Sequence, residues 1–163
     1  MLSYQHAYHA GNAADLHKHV ALAALLALLT SKPRGISYLE SHAGRALYDL
    51  AGAEARKTGE AEAGIGRLAG GEGPYWEALE AIRERFGAQA YPGSPMIAWH
   101  FLRDQDRMHL CELHPAETEA LRRVLGGGGG VAIHRRDGHE GLHALVPPVP
   151  RRGLALIDPS YEV

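Results

Sequence analysis

Residues 153–163 read GLALIDPSYEV. Leu154 to Ile157 are apolar without alternation, and a strand with no polar face is normally covered on both sides, as in a parallel sheet. Asp158 stands at its end, followed by Pro159, Ser160 and Tyr161. Three upstream segments follow the same plan. ISYLE (36–40), MHLCELHP (108–115) and VAIHRRDG (131–138) are short strand-like runs that end in or run into Glu40, Glu112 and Asp137. The intervals between them carry helix signals. Ser94 can cap a helix with Pro95 at its first position, running to about Arg103, and Pro115 opens another over PAETEALRRVL (115–125). HEGLHALV (139–146) reads as a third, short helix, and GGGGG (126–130) as a flexible connection. The resulting β-α-β-α-β-α-β order predicts an α/β fold with an open, doubly wound parallel sheet.

Ahead of the first strand, Asn12 caps a helix expected to reach Thr30, with Asp15 in its first turn and Pro33 and Gly35 beyond its end. Leu16, Val20, Leu22, Leu25, Leu26 and Leu29 make it apolar around much of its girth, which predicts a core helix. Its most apolar run, VALAALLALL (20–29), is too short to span a bilayer. After the first strand a loop containing Gly44 leads to an expected helical segment at 46–50. Residues 51–91 are rich in Ala, Glu and Gly; Trp76, Leu79, Ile82 and Phe86 form one helical face there, so the block reads as a helical insertion between strands one and two.

The chain has 163 residues, 45% of them apolar, enough for one globular domain with a sizeable core. A formal charge of -2 excludes a uniformly basic nucleic-acid binder and restricts any RNA contact to local patches. Cys111 is the only cysteine, which excludes an internal disulfide, and the N-terminus lacks a signal pattern; both fit the cytoplasm. His6, His9, His17, His19 and His42 show no pair at the zinc-helix spacing of four, so no metal is expected.

In an open α/β sheet, ligands bind at the C-terminal ends of the strands. The residues placed there are Glu40 to Gly44, Glu112, Asp137 with Gly138, and Asp158 to Tyr161. One carboxylate per strand tip suits a nucleoside, whose ribose hydroxyls and base amine need acceptors. HAGRA (42–46) matches neither phosphate-loop pattern, which disfavours a dinucleotide oxidoreductase. At the last tip, the Asp158 carboxylate and a neighbouring carbonyl could accept both hydrogens of an exocyclic amine while an aromatic ring stacks on the base. Amino-group methylation needs that arrangement. The same four residues also suit a plain strand-ending turn.

MLSYQHAYHAGNAADLHKH (1–19), YLESHAG (38–44), YPGSP (91–95), ELHP (112–115), DG (137–138) and RRGLALIDPSYE (151–162) occur in the order and at spacings similar to those of the RlmJ-type 23S ribosomal RNA adenine N(6)-methyltransferases. The resemblance runs almost throughout residues 1–163. It implies a Rossmann-like methyltransferase that uses S-adenosyl-L-methionine and methylates the exocyclic amine of an adenine in 23S ribosomal RNA. It further implies that His19, His42, Ser94, Glu112, Asp137 and Gly138 line the cofactor site. Asp158 with the Pro159 carbonyl would hold the target amine, Tyr161 would stack on the adenine, and Tyr4 would approach the RNA. Residues 51–91 would be the family's inserted subdomain. Ser160 replaces a proline of the family motif. Family members are longer, so residues 1–163 are expected to be a partial methyltransferase domain whose sheet stops after its fourth strand. Two expectations follow: an exposed fourth strand able to self-associate, and, as the alternative function, a cofactor-binding fragment without catalysis.

Overall fold

The computed structural model describes residues 9–52, 57, 60–68 and 70–160. Asn12 starts helix α1 (Ala13–Thr30), its Oδ1 accepting the Asp15 N–H at 2.9 Å. Strand β1 (Ser37–Glu40) follows, and β2 (Leu47–Asp49) comes next. Then come a short helix α2 (Glu60–Ala63), a 3-10 turn (Ile65–Arg67), helix α3 (Pro74–Phe86) and β3 (Ala90–Pro92). The remainder alternates: α4 (Ser94–Phe101), β4 (Arg107–Cys111), α5 (Pro115–Leu125), β5 (Val131–His134), α6 (Gly138–Leu145) and β6 (Gly153–Leu156).

Strands β1, β4, β5 and β6 form one parallel sheet in the order β5-β4-β1-β6. This is the sheet expected from sequence. With β1 central, Ser37 pairs with Arg107 on one side and Gly153 on the other, so the C-terminal tips of β4, β1 and β6 lie level. Tyr38, Met108 and Leu110 meet Leu22 and Leu26 of α1, Met96 and Ile97 of α4, and Leu121 of α5 in one buried core. Gly153 is required by the tight pairing, since a Cβ there would lie 1.9 Å from the Ser37 carbonyl oxygen.

Several expectations need correction. Residues 47–49 are a strand, not a helix, and pair antiparallel with β3, setting Tyr48 opposite Tyr91. The segment is too short to repay helix nucleation, and Gly44 and Ala46, both at positive φ, turn the chain into the ribbon. The last residues of the 51–91 block therefore belong to this ribbon rather than to a helix. Strand β6 is not covered on both faces: Leu154 and Leu156 are half-buried toward the core, while Gly153 and Ala155 are exposed. Its unalternating sequence left the uncovered face unmarked. Helix α1 likewise buries one face only, leaving Val20, Leu25 and Leu28 at 44, 47 and 65% exposure. On helix α3 it is Tyr75, Ala78, Leu79 and Ile82 that are buried, and Phe86 is exposed.

The whole of α1, 18 residues with mean hydropathy 1.3, is long and apolar enough to cross a membrane, unlike the ten-residue run within it. One face of it packs on the domain, with Leu22, Ala23 and Leu26 buried. Its Asn12 cap also donates through Nδ2 to Glu60 at 3.0 Å. Asn12→Ala is expected to cost about 1 kcal/mol, read as a Tm lowered by roughly 2–4 °C in a thermal melt; an unchanged Tm would deny the cap its role.

At the other end of α1, the Asp106 carboxylate accepts the Ile36 and Arg103 N–H groups, each at 2.8 Å. The Arg103 guanidinium donates to that carboxylate and to the carbonyls of Thr30, Lys32 and Arg34. This clamp ties the end of α1 to the starts of β1 and β4.

Candidate functional site

The strand tips open into a cleft of about 850 Å³. It is lined by the first turns of α1, the β1–β2 loop, the β3–α4 turn, the β4–α5 and β5–α6 connections, and residues 156–160 after β6. A crevice at the carboxyl ends of parallel strands is where the topology leaves room for a ligand. His19, His42, Ser94, Glu112, Asp137, Gly138, Asp158 and Pro159 all border it. Tyr4, His6 and Tyr161 lie outside the described residues.

Glu112 shapes one wall. Its two oxygens accept the Gly44 N–H at 2.8 Å and the His114 N–H at 2.7 Å, which fixes the carboxylate and leaves a second lone pair on each oxygen for a ligand. Gly44 itself sits at φ +62°, in the region that favours glycine. Asp137 caps α6, its Oδ1 accepting the His139 and Glu140 N–H groups at 2.9 and 3.0 Å. Those bonds, the Glu140 N–H foremost, hold its carboxyl below the usual range, and Oδ2 is left to accept from a ligand. Gly138 follows because a Cβ there would come within 2.1 Å of the Ser41 carbonyl oxygen, closing the approach of α6 to the β1 tip.

His42 lies beside these groups, its Nδ1 2.7 Å from the Ser41 hydroxyl and its ring edge-on to His139. Burial, and next the neighbouring His139, lower its pKa, so the imidazole is neutral at pH 7. His19 forms the back wall with none of its surface exposed, its Nδ1 3.1 Å from the Tyr91 hydroxyl. Ser94 is the first residue of α4 rather than its cap, the position that Gly93 takes. Its hydroxyl donates instead to Glu40, which also accepts from Tyr38 at 2.8 Å. Glu40 is fully buried, and burial pushes its carboxyl up to about 8 against those two donors.

Asp158 faces α1. Its Oδ2 accepts from the Lys18 ammonium at 2.8 Å, and Lys18 also pairs with the buried Asp15 at 3.1 Å. Burial alone would lower the Lys18 pKa, but the charges and hydrogen bonds of Asp15 and Asp158 outweigh it and hold the ammonium above its ordinary value. Lys18 was not singled out from sequence, and Asp15 was read only as a first-turn carboxylate of the helix. The available signal was DLHKH (15–19), a polar run at the head of an otherwise apolar helix, which marks a turn facing something polar. Glu117, another lining residue, holds Arg45 bidentately at 2.9 and 2.6 Å and so anchors the β1–β2 loop to α5.

Comparison with known proteins gives the family and the fold. A family model described as Ribosomal RNA large subunit methyltransferase D, RlmJ, matches residues 33–163. The chain is 39% identical to Ribosomal RNA large subunit methyltransferase J of Haemophilus influenzae, an alignment covering 100% of this chain and 60% of the relative. It is 38% identical to the protein of the same name from Escherichia coli, with the same coverage of 100% and 60%. The crystal structure of a Legionella pneumophila protein assigned to family DUF519 superposes with a TM-score of 0.80 at 39% identity, covering 95% of this chain and 59% of that one. The chain thus spans about 60% of the length of the curated relatives it matches. With the match over most of the chain and the same fold in a solved relative, the chain belongs to the RlmJ family of ribosomal RNA large subunit methyltransferases.

Proposed function

We propose that the cleft binds S-adenosyl-L-methionine and that the chain acts in methylating the exocyclic N6 amine of an adenine in 23S ribosomal RNA. The observation that carries this reading is the convergence of Glu112, Asp137 and Asp158 on one cleft. Its volume of about 850 Å³ lies within the usual range of small-molecule sites. The donor set also fits: Glu112 and Asp137 are pre-fixed acceptors for ribose hydroxyls and a base amine, and Gly138 leaves the α6 N-terminus room beside β1. When bound, the cofactor supplies the electrophilic methyl group.

The protein's own part is orientation. Asp158 Oδ1 and the Pro159 carbonyl would accept the two hydrogens of the target amine, turning its lone pair toward the methyl donor. Lys18 occupies Oδ2 and so fixes which Asp158 oxygen remains for the amine. Beneath Ser94, the buried Glu40 carboxyl accepts from the Tyr38 and Ser94 hydroxyls and so holds the Ser94 side chain at the cleft wall.

Calorimetry tests the cofactor assignment. Glu112→Ala is expected to weaken S-adenosyl-L-methionine binding by about tenfold or more, or ~1.4 kcal/mol, with Glu112→Gln intermediate. Equal affinities across the three proteins would remove Glu112 from the site.

A further inference from the structure

At the end of the sheet opposite the cleft, three loops converge: 31–36 after α1, 102–106 before β4 and 146–152 before β6. They are joined directly. Arg103 donates to the carbonyls of Lys32 at 2.6 Å and Arg34 at 3.1 Å, the Ser37 N–H donates to the Arg152 carbonyl at 2.9 Å, and the Arg152 guanidinium donates to the Leu29 carbonyl at 3.0 Å. These loops and the first residue of β4 hold six of the chain's 17 Lys and Arg side chains: Lys32, Arg34, Arg103, Arg107, Arg151 and Arg152. The acidic side chains among them are Asp104 and Asp106. Arg103 is neutralised by Asp106, so five cations are set against Asp104. Lys32, Arg34, Arg107 and Arg151 are exposed. In a chain of formal charge -2, this makes a local positive field at one end of the molecule.

Two of the cations are also held in place. Arg107 donates to the Asp104 and Asp106 carbonyls at 3.1 and 2.7 Å, and Arg152 to Leu29 as above. A guanidinium anchored through one edge presents its other N–H groups in fixed directions, which suits phosphate oxygens. Gly130, beside Arg107, adds no side chain that would obstruct a large ligand.

We infer that this end is a second RNA contact, which grips the sugar–phosphate backbone of the ribosomal RNA whose adenine enters the cleft; the inference rests on the function proposed above. Helix α1 leads from one site to the other, with Lys18 in the cleft and Leu29 to Lys32 at the basic end. Its length is about 27 Å at about 1.5 Å per residue. That is less than one turn of a nucleic-acid duplex, roughly 34 Å, so a stem continuous with the target nucleotide can reach both. Contacts of this kind carry no sequence information; they supply affinity by releasing counterions and set the register in which the adenine is presented. A lipid surface is disfavoured, because the large apolar side chains exposed in these loops, Val146 at 53% and Val149 at 81%, are short valines rather than the Trp, Phe or Leu that seat a protein in a bilayer.

The test is a Lys32→Glu/Arg34→Glu/Arg151→Glu triple variant, all three at exposed positions outside the cleft. Its affinity for an unmodified 23S ribosomal RNA transcript is expected to fall at least tenfold at ~100 mM salt, with the slope of log K against log salt shallower by about two to three. Arg34→Lys/Arg151→Lys should bind as wild type does. Affinity for S-adenosylhomocysteine, measured on the same samples, should not change. Wild-type RNA affinity and slope in the triple variant would overturn the inference. So would retained RNA binding with lost binding to phosphatidylserine vesicles, which would assign the patch to a lipid surface. The two readings separate cleanly: loss of RNA binding in the triple variant, alongside a wild type that binds RNA but transfers no methyl group to it, upholds the patch and sinks the proposed activity. Robust methylation with an unaffected triple variant does the reverse.

Discussion

Asp158→Ala is expected to lower methyl transfer to unmodified 23S ribosomal RNA by roughly a hundredfold to a thousandfold, with S-adenosyl-L-methionine affinity nearly unchanged. The reason lies in what each carboxylate is attached to. Glu112 and Asp137 are fixed by backbone N–H groups inside the wall of the cleft, whereas Asp158 is 42% exposed at its mouth and fixed by an ammonium. Removing Asp158 therefore leaves the cofactor wall intact and deprives the target amine of its charged acceptor. Asp158→Asn keeps an acceptor oxygen but adds N–H donors that face the amine's own hydrogens, so it should retain only a small part of the activity. Lys18→Ala leaves the carboxylate in place without its partner, and a smaller fall is expected. A tritium-transfer assay under saturating cofactor reads all three. Near-wild-type turnover in Asp158→Ala would mean that the amine is oriented by other groups.

Much of this site was legible because strand tips are legible. Each parallel strand shows as a short apolar run, and a carboxylate at its end is conspicuous in sequence. His42, Glu112, Asp137, Gly138 and Asp158 follow from that logic, and the resemblance placed His19 and Ser94 beside them; all of these border the cleft. Residues whose roles depend on distant partners were not legible. Lys18 meets Asp158 across 140 positions, and Ser94 meets Glu40 across 54. Nothing local distinguishes a serine that caps its own helix from one that donates to a buried acid on a neighbouring strand. The β2–β3 ribbon was hidden for the same reason, since three residues around Tyr48 carry too little periodicity to reveal a partner at Tyr91. The faces of β6 and α1 show the converse limit. Apolar composition gives the capacity to be buried, and only packing decides which side is covered.

The largest effect on stability is expected at the opposite end of the sheet, from Asp106→Ala. Its carboxylate is buried, accepts the Ile36 and Arg103 N–H groups, and pairs with a guanidinium that itself ties down three carbonyls at the end of α1. Truncating it leaves a buried N–H and an arginine without its counter-ion, a class of change that costs about 3–5 kcal/mol. Asp106→Asn keeps the shape and an acceptor for Ile36 and should cost less. Burial by itself would raise the Asp106 pKa, but the hydrogen bonds from Arg103 and from the Arg103 and Ile36 backbones outweigh it and depress it. The sign of the linkage follows: the unfolded chain binds a proton that the folded chain refuses, so the stabilisation is complete above the ordinary aspartate range near pH ~4 and is lost as pH falls through the depressed value. Urea unfolding of wild type and variant should therefore differ most at neutral pH and converge in acid. A gap at neutral pH below about 1 kcal/mol, or one that does not shrink on acidification, would show that the loops are held by packing alone and that the clamp is incidental.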